Sequence, residues 1–315
     1  MRVFFNSNAG GAPDADLDAL RAVPDVDLVD CEDPEATVEA AAQAARDGDE
    51  RVVAAGGDGT VHLVANGLMR GGDSAETRPV LGVLPLGTGN DLARTLGLPL
   101  RRPPVTAFEA VRQGPARTID LIRVTHPGCE DRTPYAVNAC AGGFSGTVDE
   151  ALTPALKATW GPLAYLVGAA KALPDLTGYR TRIAWDGGPP EHVAAFNVVV
   201  ANGRTAGGGK PVAPRADPED GLLDVVVIRA GTGLDVARLV ARVLAGDYLD
   251  DDFVVFNQVR RVSIDSSPGM WFNVDGELRT NDPVTFEAVP GALRVAVGPG
   301  YVAAPDGVAA ASAAP

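Results

Sequence analysis

Arg51-Val52-Val53-Ala54-Ala55-Gly56-Gly57-Asp58-Gly59-Thr60-Val61-His62 is the stretch on which the reading of this 315-residue chain turns. Residues 51–55 form a short apolar run with the length and composition of a buried strand. The run stops at a glycine-rich loop, and a helical pattern follows from about 61 to 69. A strand that delivers a glycine loop to a helix N-terminus brings backbone N–H groups and the positive end of the helix dipole to one point, which is a phosphate-binding arrangement. Asp58 places an anion there, where a magnesium ion would sit. Taken alone, the segment reads equally well as a tight turn with an acidic helix cap.

The same pattern recurs on either side. Val3-Phe4-Phe5 is a buried-strand signal that ends at Asn6-Ser7-Asn8-Ala9-Gly10-Gly11, and residues 79–85 form a strand ending at Leu86-Gly87-Thr88-Gly89-Asn90-Asp91, which opens another helix. A strand over 27–30 and helices over 16–22 and 34–46 complete an alternation that predicts an open, largely parallel α/β sheet. In such sheets ligands collect beyond the carboxyl ends of the strands. After about residue 121 strand-like runs dominate (135–140, 181–185, 195–200, 223–228, 259–264), with helices expected over 163–173 and 233–245. The fold class is therefore an α/β nucleotide-binding domain followed by a β-rich, antiparallel, sandwich-like second domain. The Ala-, Gly-, Ser- and Pro-rich tail over 306–315 is expected to be disordered.

Composition excludes several functions. A formal net charge of −14 opposes nucleic-acid binding, which needs a basic face. The cluster of Arg101 and Arg102, with Arg94 and Arg112, reads as a solvated surface patch able to touch a bilayer. Cys31, Cys129 and Cys140 are too scattered for a disulfide framework or a zinc site, so a reduced, cytoplasmic protein is expected. Apolar runs reach about half of the ~20 residues a membrane-spanning helix requires, and the N-terminus shows no signal-peptide pattern.

Phosphoryl transfer needs donors for phosphate oxygens, a carboxylate for the metal and a group to orient or deprotonate the attacking hydroxyl. The Thr88 hydroxyl and the Asn90 amide are short donors suited to a phosphate or ribose. His62 reads as a solvent-facing helical residue, and Asp275-Gly276-Glu277 as a hairpin turn. Asp217, Glu219, Asp220 and Asp224 place hard oxygen ligands within a few residues, a set suited to magnesium or calcium and equally to a plain acidic loop.

With Gly56-Gly57-Asp58-Gly59-Thr60, Asn66-Gly67-Leu68 and Pro85-Leu86-Gly87-Thr88-Gly89-Asn90-Asp91-Leu92-Ala93-Arg94 in hand, the chain resembles the diacylglycerol kinase catalytic-domain family, which includes bacterial lipid kinases and sphingosine kinases. The likeness runs on through Gly207-Gly208-Gly209, Asp220-Gly221-Leu222 and Asp275-Gly276-Glu277. It implies an ATP-dependent lipid kinase acting on diacylglycerol or a related lipid, with magnesium. The domains it implies are an ATP domain over 1–122 that regains residues 295–305, and a lipid-binding domain over 123–294. It assigns Asn6, Asn8, Gly10, Gly56, Gly57, Asp58, Gly59, Thr60, Gly87, Thr88, Gly89 and Asn90 to the nucleotide, and Asp58 and Glu277 to catalysis with Glu277 as general base. A structural metal falls to Asp217, Asp220 and the main chain of Leu222. It also implies transient contact with a membrane surface by a cytoplasmic, peripheral protein, and leaves a homodimer open. Two positions depart from the pattern: Leu63 stands where a glutamate is usual, and Cys31 near where a threonine is. A soluble acceptor, as in NAD kinases, and a nucleotide-binding homologue that has lost catalysis are the rival readings.

Overall fold

The computed structural model describes residues 1–6, 18, 20–100, 104–129, 134–143, 178–232, 235, 238–239, 242–243 and 247–304. The expected helix over 163–173, the tail over 306–315, Asn8, Gly10, Arg101 and Arg102 lie outside the described residues, as do 16, 17 and 19 of the helix expected over 16–22 and most of 233–245.

Strands β1 (Arg2–Phe5), β2 (Asp27–Asp30), β3 (Arg51–Gly56) and β4 (Val80–Pro85) stand parallel in the order β2-β1-β3-β4. Their register aligns Phe5 with Ala55 and Gly56 with Pro85, so the loops that follow leave one end of the sheet together. The near-continuous apolar character of β3 and β4 is what burial on both faces demands. Helix α1 (Pro34–Arg46) starts where Asp33 accepts the Ala36 N–H at 2.8 Å with Pro34 at the first position. Helix α2 (Asp58–Gly71) begins at Asp58, three residues earlier than the sequence pattern indicated. Two short helices, α3 (Asp91–Thr95) and α4 (Pro104–Gln113), follow β4. Val3, Phe4, Val53, Leu81 and Leu84 pack against Val64, Leu68 and Phe108 in one apolar core.

The remaining strands pair antiparallel. Strand β5 (Ala116–Thr125) leads through the two-residue β6 (Tyr135–Ala136) into β7 (Ala139–Gly143), followed by β8 (Tyr179–Trp185) and β9 (Glu191–Ala201). The pair β10 (Thr205–Ala206) and β11 (Lys210–Pro211) encloses the glycine triplet at 207–209. Then come β12 (Leu223–Arg229), β13 (Val254–Val259), β14 (Arg261–Ser267), and the hairpin of β15 (Phe272–Val274) and β16 (Glu277–Thr280). A second core of Val198, Val225, Ile264 and the tilted pair Phe272 and Phe286, ring centres 5.3 Å apart, fills this half.

The last strand, β17 (Val284–Ala296), joins the two halves. It pairs with β5 along its length and with β14 over its first part, and Val295 also reaches β4 in parallel. The chain then crosses back over the seam. Gly298 N–H donates to Leu96 O at 2.9 Å, and the Tyr301 hydroxyl donates to Glu219 at 2.5 Å.

Candidate active site

Two of the three predicted phosphate loops are described, and they touch. Leu86 N–H donates to Gly56 O at 3.0 Å, and a Cβ on Gly87 would lie 2.4 Å from the Cα of Gly57. Only glycine at 87 permits that backbone contact. Asn6, the residue after β1, is half-buried at the same end of the sheet. Thr88 is exposed at the tip of its loop. Thr60 is buried, folded over Gly56, where a Cβ would come within 2.3 Å of its Oγ1.

Asn90 departs from its expected part. Its backbone is left-handed (φ 52°), its Nδ2 donates to Gly87 O at 2.5 Å, and its Oδ1 accepts the Gly87 N–H at 3.1 Å. The amide read as a donor for a ligand therefore closes the loop on itself, meeting both backbone groups of Gly87, whose N–H also reaches Gly56 O at 3.3 Å.

Asp58 Oδ1 accepts the N–H groups of Asp91 at 2.8 Å and Leu92 at 3.3 Å, the first turn of α3. One carboxylate at the N-terminus of α2 thus ties down the N-terminus of its neighbour. Its Oδ2 faces Gly89, where a Cβ would lie 2.6 Å away. Burial, then the nearby charge of Asp91, push the Asp58 carboxyl above the usual range; the two amides pull the other way and Asp275 adds to the rise. A half-buried carboxylate pressed by two others is a site that gains from a cation.

The second half of the chain closes on this loop. Asp91 is 4% exposed and accepts Gly208 N–H at 2.8 Å and Gly209 N–H at 2.6 Å. Beside it Lys210 is half-buried, its ammonium bonded to Gly207 O at 2.6 Å and its pKa lowered by burial against the pull of Asp91. Neither partner could be matched from the sequence, because 117 residues separate Asp91 from Gly208.

Glu277 opens β16 opposite Val274, half-exposed and paired with Arg279 at 2.5 Å. The two-residue turn before it has Asp275 at φ 49° and Gly276 at φ 91°, the left-handed pair that a tight hairpin uses and that Asp-Gly accommodates. The hairpin reading holds, and Asp275 does more than turn the chain. Its carboxylate is 3% exposed and accepts four hydrogen bonds: from Val137 N–H (2.8 Å), Asn138 N–H (2.9 Å), Ala139 N–H (3.1 Å) and His62 Nδ1 (2.9 Å).

His62 is therefore not the solvent-facing residue the helix pattern predicted; it is 2% exposed and points across the seam. Asn66, one turn on, is also buried. It donates to Tyr135 O at 2.9 Å and accepts Tyr135 N–H at 2.9 Å, completing the ladder of β6 with a side chain. The available signal was the spacing of Asp58, His62 and Asn66 at i, i+4 and i+8, one polar stripe on an otherwise buried helix. Leu63 is half-buried.

In the acidic segment Asp217 Oδ1 accepts Glu219 N–H at 3.0 Å and Asp220 Oδ1 accepts Leu222 N–H at 2.8 Å, so each carboxylate commits one oxygen to its own loop. Asp224 is 1% exposed with Oδ1 unpartnered, and burial first, then Asp220 and Asp217, push its carboxyl up to about 7. That orphaned oxygen lies within the electrostatic reach of Asp220 and Asp217, the two carboxylates expected to hold a cation with the Leu222 carbonyl. Among the described residues no group of three or more His, Cys, Asp or Glu side chains is arranged to hold a metal ion. The three cysteines are buried and free, and among the described residues no helix is long and apolar enough to cross a membrane.

Comparison with known proteins gives a consistent picture. Residues 1–124 match the diacylglycerol kinase catalytic domain, and residues 138–297 match the YegS C-terminal NAD kinase beta sandwich-like domain. The chain is 34% identical over 273 residues to a Chromohalobacter salexigens protein named "Probable lipid kinase YegS-like", covering 86% of this chain and 81% of that protein. It is 32% identical over 227 residues to the diacylglycerol kinase of Bacillus subtilis, covering 72% and 70% respectively. A crystal structure of a diacylglycerol kinase from Bacillus anthracis superposes with a TM-score of 0.74 at 21% identity over 95% of this chain and 96% of the other, a likeness of fold.

Proposed function

Because the chain belongs to the family of diacylglycerol kinases and YegS-like lipid kinases, we propose that it transfers the γ-phosphate of ATP to the hydroxyl of diacylglycerol or a related lipid. The observation that carries this reading is the convergence, at one seam, of the Gly56–Thr60 loop, the Gly87–Asn90 loop and the hairpin of Glu277, with Asp58 and Asp275 close enough to act on one another electrostatically.

ATP supplies the phosphoryl group, and magnesium offsets the charge of its phosphates. The chain's own residues do the rest. The glycines at 56, 57, 87 and 89 let the main chain approach the phosphates, and the N-terminus of α2 turns its free N–H groups towards them. Asn6 and the exposed Thr88 hydroxyl lie at the same end of the sheet, and Asn90 keeps that loop in shape. Asp58, held through Oδ1 by two amides of α3, leaves Oδ2 facing Gly89 and would hold the cation with it. Glu277 takes the proton of the acceptor hydroxyl as its oxygen bonds to the γ-phosphorus and the bridging P–O bond to ADP breaks. The ion pair with Arg279 lies at a half-exposed surface, where such pairs are weak enough to part when substrate arrives. Asp217, Asp220 and the Leu222 carbonyl would hold a second, structural cation. The lipid acceptor draws the protein transiently to a membrane surface.

The test is incubation of the full chain with labelled ATP, magnesium and vesicles carrying diacylglycerol, ceramide, sphingosine or phosphatidylglycerol, with NAD as a soluble acceptor. A phosphorylated lipid is expected. Label in NAD alone would move the acceptor to the soluble class, and ATP binding without turnover would mark a chain that has lost catalysis. Asp58→Asn and Glu277→Gln should each lower turnover by at least about 100-fold.

A further inference from the structure

Helix α2 carries Asp58, His62 and Asn66 on one stripe, and each reaches a different part of the seam. Asp58 holds the amides of Asp91 and Leu92, His62 holds Asp275, and Asn66 holds both backbone groups of Tyr135. We infer that His62 is a positioning residue for the reaction: through Asp275 it fixes the hairpin of Glu277 against the helix that carries Asp58. The inference rests on the kinase reading given above.

The chemistry of the contact sets its direction. A carboxylate only accepts, and Asp275 Oδ2 already accepts the Val137 N–H, so the proton between it and the imidazole sits on His62 Nδ1. The bond is charge-assisted, and both side chains are 3% exposed, so water does not compete for it. The three amides at 137–139 hold Asp275 to the second half of the chain only. His62 is the donor that ties it to the nucleotide half, and the Asn66 side-chain Nδ2, donating to His62 O at 2.8 Å, braces the same turn of the helix.

Glu277 follows Asp275 by two residues across a turn with no slack, since both turn residues are left-handed and Val274 pairs directly with Glu277. A shift of the Asp275 carboxylate therefore shifts the base. In an in-line displacement a displacement of about 1 Å costs on the order of 100-fold in rate. Binding of ATP, which rests on the loops at 56–60 and 87–90, does not pass through this contact.

The test compares the full-length protein with His62→Leu and His62→Asn. Leucine fills the space without a donor, and the asparagine amide puts an N–H where Nδ1 stood. His62→Leu is expected to lower kcat by at least about tenfold with the KM for ATP changed less than about threefold, and His62→Asn to recover most of that loss. Hydrogen exchange at the amides of 137–139 and 275–279 should quicken by about tenfold in His62→Leu and not in His62→Asn. Unchanged kcat and exchange in His62→Leu would overturn the inference, as would a His62→Asn variant as slow as the leucine one. If His62→Leu does not fold, the turnover and exchange of His62→Asn decide. If the wild-type chain phosphorylates no lipid, the kinase reading fails, and the exchange measurement still decides whether His62 holds the hairpin.

Discussion

Replacing Asp91 by asparagine tests the clasp between the two halves of the molecule. In the wild-type protein both oxygens accept a glycine N–H, from Gly208 and Gly209, at an almost fully buried site. An asparagine offers one oxygen and one NH₂ group in the same space, so one N–H is left facing another N–H and the remaining bond loses its charge. A charge-assisted bond contributes about 1.5–3 kcal/mol and a neutral one about 1 kcal/mol. The substitution should therefore cost about 3 kcal/mol, or about 6 °C in Tm for a chain of this size. Opposing this, the variant removes one of the charges that raise the Asp58 carboxyl. A raised carboxyl gives stability that is present at low pH and lost as pH rises through its folded pKa, so the wild-type protein loses stability on that side and the variant loses less. The Tm deficit should accordingly be larger on the acid side of the Asp58 titration than on its alkaline side. Calorimetry in chelator across that titration measures both. A Tm within about 1 °C of wild type at every pH would refute the account of the clasp.

Asp224→Asn should stabilise the metal-free protein at and above neutral pH. The wild-type carboxyl, raised to about 7 by burial, keeps its favourable protonated form below the unfolded value near 4 and loses it between pH 4 and 7, a difference of at most about 4 kcal/mol; equal melting curves at pH 8 would contradict it. Gly87→Ala forces a Cβ to within 2.4 Å of the Gly57 backbone; it should cost about 1–3 kcal/mol and weaken ATP binding at least about tenfold, read by calorimetric titration. Asn66→Ala leaves both backbone groups of Tyr135 unpaired in a buried site, which should cost about 3 kcal/mol, and a denaturation midpoint equal to wild type would show that water replaces the side chain.

Much of the nucleotide half was legible in the sequence, because its elements obey local rules. The apolar runs of β3 and β4 match parallel strands buried on both faces, and the Asp33-Pro34 start fixes α1 over the residues its pattern predicted. The hairpin at Asp275-Gly276 was readable for the same reason, since a two-residue turn with both angles left-handed selects that dipeptide. The start of α2 was placed too late, because Gly57, Asp58 and Gly59 read as loop chemistry while the tertiary site uses Asp58 as the first helical residue.

Misreadings fell where a polar side chain is committed to a partner, across the chain for His62 and within its own turn for Asn90. His62 on a helix reads as solvated until a carboxylate 213 residues away is brought to its ring, and the Asn90 amide reads as free until the turn it closes is seen. Sequence alone determined the elements, the glycine loops and the kind of chemistry they serve, since each depends on neighbours a few residues apart. Tertiary structure decided how Asp58, His62 and Asn66 face the seam, what Asp91 and Asp275 hold, and which strand joins the halves. Buried polar groups must find partners wherever the fold supplies them, and sequence spacing does not constrain which ones those are.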